Sequence, residues 1–126
     1  MTTLRSGQAL VILLVFSAIT LTIIAAATTV NIINSSASSW VEQGEVAYNV
    51  AESGIENALI RLLRDPAYTG ETLTVGDGTA TITVSGTDPV YTVTSTGVIG
   101  SFNRRIRAVA QFTGGVMSVT SWTETY

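Results

Sequence analysis

"WVEQGEVAYNVAESGIENALIRLLR", residues 40–64, decides the fold. Ala47, Ala51, Gly54/Ile55, Ala58/Leu59 and Leu62 recur at three-to-four spacing, while Glu42, Glu45, Asn49, Glu52 and Glu56 lie largely away from that stripe, which predicts a helix with one buried face. Asp65-Pro66 should end it, because the residue before a proline is pushed out of helical geometry. Upstream there is no proline, and the patch NSSASS at residues 34–39 is a weak helix former without a strong breaker. The helix is therefore expected to continue back into the N-terminal segment. Residues 8–64 in one helix would measure ~85 Å at ~1.5 Å per residue.

That N-terminal segment has a different character. Residues 6–41 carry no charged side chain, and residues 9–24 are apolar apart from Ser17, Thr20 and Thr22. The ~20 residues that cross a ~30 Å hydrocarbon layer fit within residues 8–29. Serine and threonine are tolerated in such a helix because their hydroxyls bond the carbonyls of the preceding turn. Ala18, Ala25, Ala26 and Ala27 would let neighbouring helices approach closely, with hydroxyl bonds from Ser17, Thr20 and Thr22 in support. Arg5, the one early charge, favours a cytoplasmic N-terminus with the rest of the chain outside. Three fates compete: removal as a secretory signal at Ala25-Ala26-Ala27, retention as an uncut anchor, or cleavage after Gly7 that keeps the apolar helix.

Beyond the loop DPAYTGE, short β-rich runs alternate with turn residues: ETLTV, GDG, TATITVS, GTDP, VYTVTST, GVIG, SFNRRIRAVAQF, GG, VMSVTSWTE. They predict an antiparallel meander of four or five strands. Leu73 and Val75 alternate with Thr72 and Thr74, and Ile82 and Val84 with Thr81 and Thr83, giving one apolar face to cover the helix stripe. In the fourth run Phe102, Ile106, Ala108, Ala110 and Phe112 share one face, and Asn103, Arg105, Arg107 and Gln111 the other. Arg104 falls on the apolar side, and is expected near a strand end where it reaches water or a helix carboxylate. The fold class is thus α+β: a long N-terminal helix, half transmembrane and half amphipathic, packed on a C-terminal antiparallel sheet.

Two motifs carry a resemblance. "RSGQALVILLVF", with Arg5 behind Gly7 and an uninterrupted apolar run after it, resembles the type III signal of type IV pilin-like proteins. "VAYNVAESGIENALIRLL" resembles the A-x-x-x-A-E-x-G-I-E-x-A-L helix of PilX-like minor pilins and pseudopilins. Together they cover about half the chain. The resemblance implies a leader over residues 1–7, cleavage by a prepilin peptidase between Gly7 and Gln8, and N-methylation of Gln8. It implies a filament-core helix over 8–30, its amphipathic extension over 31–65, and a β-sheet head over 66–126. The chain would be inserted in the inner membrane, extracted by pilus assembly machinery and packed with copies of itself or other pilins in an extracellular filament. One departure matters: most pilins carry a glutamate at the fifth position after the cut, which neutralises a neighbour's terminal amine, and this chain has Ile12. Pilins lacking it are often tip or initiating subunits; shaft and tip both stay open. Helix packing is assigned to Ile12, Ala18, Ala25, Ala26 and Ala27, and charges between subunits to Glu52 and Glu56 against Arg104, Arg105 and Arg107. The rival reading is a secreted or anchored β-rich binding module that does not polymerise.

Composition argues against most chemistry. With neither cysteine nor histidine in 126 residues, thiol nucleophiles, disulfides, zinc–thiolate sites and the commonest acid/base are excluded, and no enzyme, cofactor or metal is expected. A net charge of −3 gives no general attraction to nucleic acid, and none is expected as partner. GDGTAT, residues 76–81, lies between strands and reads as a hairpin turn rather than a phosphate loop. Asp77 and Asp88 supply too few oxygens for calcium. NRRIR, residues 103–107, is better spent on the helix glutamates than on DNA phosphates. Asn34-Ser35-Ser36 is a glycosylation sequon close to the apolar segment, and Glu52 with Glu56, one turn apart, read as interface charges rather than a catalytic pair.

Overall fold

The computed structural model describes residues 2–125, with side chains from residue 7 onward. Arg5, and residues 1–6 of the leader expected over residues 1–7, therefore lie outside the described side chains. Helix α1 spans Thr2–Arg64, and five strands follow: β1 (Thr72–Val75), β2 (Gly78–Thr87), β3 (Val90–Ile99), β4 (Phe102–Thr113) and β5 (Val116–Thr125). The chain falls into two compact units, Met1–Ser39 and Trp40–Tyr126.

In the first unit every described residue of α1 is exposed, with Leu10, Leu13, Phe16, Leu21 and Ile23 each more than three-fifths accessible. The Ser17 hydroxyl donates to the Leu14 carbonyl at 2.9 Å, Thr20 to Phe16 at 2.8 Å and Thr22 to Ala18 at 2.8 Å. Thr28 and Thr29 do the same to Ile24 and Ala25. The polar groups thus close on their own helix and leave an apolar exterior. This helix is long and apolar enough to cross a membrane.

In the second unit the remainder of α1 packs on an antiparallel meander in the order β1-β2-β3-β4-β5. The buried stripe is Ala47, Ala51, Gly54, Ile55, Ala58 and Leu62, as its spacing predicts, with Gly44 and Val50 added. Ile82, Tyr91, Val93, Ile106 and Ala108 meet it from the sheet. Small residues face each other at the centre, so helix and sheet approach closely. A Cβ on Gly97 would overlap the backbone of Ala47 and Ala51, and one on Gly54 would overlap Ser95 Oγ and stand 3.0 Å from Ala80 Cβ. Fully burying Ile55 or Ile106 contributes ~1.5–3 kcal/mol each.

The helix ends at Arg64 as the Asp65-Pro66 pair requires, and the Asp65 carboxylate accepts from the Ala67 amide at 3.0 Å. Arg61 and Arg64 in the last turn sit favourably against the carbonyl end of the helix dipole.

Two of the expected turns are corrected. Sequence placed GTDP and GVIG outside the strands, but β2 continues through Gly86 and Thr87 and β3 through Gly97, Val98 and Ile99, leaving only Asp88-Pro89 and Gly100-Ser101 as turn residues. Gly97 belongs in the strand because the helix backbone lies on it. The segment before β1 is less of a loop than expected: Glu71 and Thr69 carbonyls accept from the amides of Ile82 and Val84, both at 2.8 Å, so it runs on beside β2.

Candidate functional site

Chemistry-bearing side chains fall into three places on the Trp40–Tyr126 unit. The first is a groove of ≈ 500 Å³ beside α1, lined by Val41, Gly44, Tyr48, Arg104 and Glu124 among others. Arg104 comes from the helix-facing side of β4, opposite Gly97, and its guanidinium donates to Glu124 Oε1 at 3.3 Å. It lies over Gly44, where an added Cβ would stand 3.2 Å from Nη2. The sequence expectation for Arg104 named water or a helix carboxylate; the structure adds the strand residue Glu124, brought alongside by the β4–β5 register. Trp122 donates its indole N–H to the Tyr48 hydroxyl at 3.2 Å, tying β5 to the helix near the same groove.

The second place joins the helix end to the following segment. Arg61 Nε lies 2.7 Å from Glu71 Oε1 and also donates to Asn57 Oδ1 at 3.2 Å. Its guanidinium stands 5.6 Å from the centre of the Tyr68 ring. The Tyr68 hydroxyl donates to Glu71 at 3.2 Å. Burial first, then the charge and hydrogen bond of Glu71, raise the Tyr68 pKa above the ordinary 10.0, against a smaller opposing pull from Arg61. Such a cluster ties the segment before β1 to the end of the helix.

The third is the outer face of the sheet, away from the helix. Arg105 and Arg107 are exposed there, and Arg105 donates to Thr96 Oγ1 at 3.3 Å. The arginines grouped together by sequence are thus split: Arg104 faces the helix, and Arg105 and Arg107 face the opposite way. Glu56 is exposed and Glu52 half-buried, both on α1. No cluster of three metal-ligating residues occurs among the described residues.

On the Met1–Ser39 unit, Gly7 is exposed and a Cβ there would meet nothing within 4 Å. Gln8, Ile12, Ala18, Ala25, Ala26 and Ala27 are all exposed. Ser17, Thr20 and Thr22 donate their hydroxyl protons to carbonyls of the preceding turn, as expected of hydroxyls in an apolar helix.

Sequence reasoning missed Gly44, Gly97, Glu124 and Ser95. Ser95 is buried, and its Oγ has no hydrogen-bond partner among the described residues. Strand alternation within VYTVTST already puts Ser95 on the side of Tyr91 and Val93, and would have put Gly97 there had β3 been drawn to its full length. Compared with protein-family models, with curated proteins and with solved structures, the chain finds no match in any of the three.

Proposed function

We propose that the chain is a structural subunit of an extracellular, type IV pilus-like filament, cut after Gly7 and polymerised through its N-terminal helix. The observation that carries this reading is the pairing of two kinds of helical surface in α1. Over residues 7–39 it is exposed on every side, and over residues 9–27 it is apolar apart from Ser17, Thr20 and Thr22, whereas from residue 40 it has one stripe, which its own sheet covers. An all-round apolar surface has to be covered, first by lipid and then, in a filament, by the helices of other subunits. Ala18, Ala25, Ala26 and Ala27 would set the closeness of that packing. With the hydroxyl protons of Ser17, Thr20 and Thr22 donated within the helix, apolar contact and shape carry most of the association. Ile12 in place of the usual glutamate removes a carboxylate that would otherwise need a partner in an apolar surrounding. Subunits repeating head to tail give an interface that does not close, and so a filament.

The test compares the native host with a strain lacking the gene: material sheared from the surface is imaged by electron microscopy with antibody to the head, and membrane levels are followed by immunoblot. Labelled filaments support the subunit reading. Surface protein found only as monomers gives the place to the anchored binding module.

A further inference from the structure

The outer face of the sheet has a composition that its strands alone do not require. Side by side across four strands stand Thr81, Thr96, Arg105 and Thr125, and in the next row Thr83, Thr94, Arg107 and Thr123. Neighbours in a row are ~4.8 Å apart and rows ~6.8 Å apart, so the two arginines arise ~7 Å from each other on long stems that can adjust to the spacing of carboxylates along a polymer. Threonine is a good strand former, and hydroxyl rows by themselves would be a solvated surface. The charges are what need explaining. Glu42, Glu45, Glu52 and Glu56 are on the helix, Asp65 and Glu71 on the segment before β1, Asp77 and Asp88 in turns, and Glu124 on the helix-facing side. An acidic chain, net −3, thus leaves no carboxylate on this face among the described residues, and Arg105 and Arg107 are the charges it carries.

We propose that this face binds an acidic polysaccharide, a polyuronate whose carboxylates dock on Arg105 and Arg107 and whose hydroxyls exchange hydrogen bonds with the threonine rows. A depression of ≈ 300 Å³ lined by Thr96, Val98, Asn103, Arg105 and Thr125 gives a first sugar a place. Thr96 accepts from Arg105 Nε at 3.3 Å and so holds the guanidinium fork along the surface. Nucleic acid fits less well. The aromatic side chains of the strands, Tyr91, Phe102, Phe112 and Trp122, alternate onto the helix-facing side, leaving no ring on this face among the described residues to stack a base. Two cations also neutralise few phosphates.

The proposal does not depend on filament formation and is tested without it. The full chain is reconstituted in discs of neutral phosphatidylcholine and titrated with a mannuronic-acid oligomer, a neutral glucose oligomer and a short DNA duplex. The expected result is binding of the mannuronate oligomer that weakens with salt, with no response to the glucose oligomer and a weaker one to DNA. Arg105→Gln and Arg107→Gln should each weaken it about tenfold. Thr94→Val, equal in shape, should weaken it less, and Arg64→Gln should leave it unchanged. Unaltered thermal melting of the variants establishes that they fold. DNA bound more tightly than mannuronate, equal binding of the neutral oligomer, no binding at all, or well-folded arginine variants that bind as wild type would each overturn the proposal. So would variants that keep mannuronate affinity yet lower filament yield in the host, for the arginines would then belong to a contact between subunits.

Discussion

Gly54 and Ser95 face each other where helix and sheet approach closely, and they make a two-residue test of the packing. Gly54→Ala improves helix propensity by about 1 kcal/mol, yet its Cβ would overlap Ser95 Oγ and press on Ala80 and Ile82. Overpacking costs ~1–3 kcal/mol, so the net effect should be destabilising. Ser95→Ala removes an unpartnered buried hydroxyl and should be neutral or stabilising by about 1 kcal/mol. The double variant should recover most of what Gly54→Ala loses, as thermal melts of the four proteins would report; strict additivity would mean the two residues do not touch. Tyr68 offers a second test. Its pKa is raised in the folded chain, so above pH 10 the unfolded state loses this proton first and binds fewer protons than the native state. Stability should therefore fall as pH rises through 10 and beyond, and Tyr68→Phe should flatten that part of the curve, measured by denaturant titration between pH 8 and 11. No single residue in the sequence announced either pair. Both depend on which strand position lies under which helical turn, and that is set by register.

Among the elements, the helix was the most legible. Its period of three to four put Ala47, Ala51, Ile55, Ala58 and Leu62 on one face, and all five are buried. Ile55→Asp should unfold the Trp40–Tyr126 unit, because an unpaired buried carboxylate costs several kcal/mol against a stability of ~5 kcal/mol. Glu56→Ala, on the exposed side, should shift the melt by little; circular dichroism of the full chain in detergent would separate the two, and equal sensitivity would mean the faces are misassigned. Strands were legible in number, order and facing, since Thr-x-Thr alternation marks the outer side wherever it occurs. Their ends were less so. Gly86 and Gly97 look like turn residues in a linear reading, whereas Gly97 sits mid-sheet because only a residue without Cβ admits the helix backbone there. Arg104 was placed correctly on the helix-facing side, but its tie to Glu124 depends on the β4–β5 register and on a bulge near Val109, neither of which a local pattern encodes.

For the whole molecule, the account joins a head that closes its own core to a helix that cannot cover itself. Ala26→Leu adds bulk to a fully exposed apolar surface and takes nothing from the Trp40–Tyr126 core. It should leave membrane levels unchanged while lowering filament yield severalfold, if close helix packing drives assembly. Gly7→Ala meets no steric obstacle in the chain itself, so any loss of processing would report the peptidase rather than the fold. The most direct test of the filament account is the intact mass of the chain in material sheared from the surface of its native host. The account predicts a chain that starts at Gln8 and carries one added methyl group. A chain that starts at Thr28, or an uncut chain confined to the membrane fraction, would contradict it.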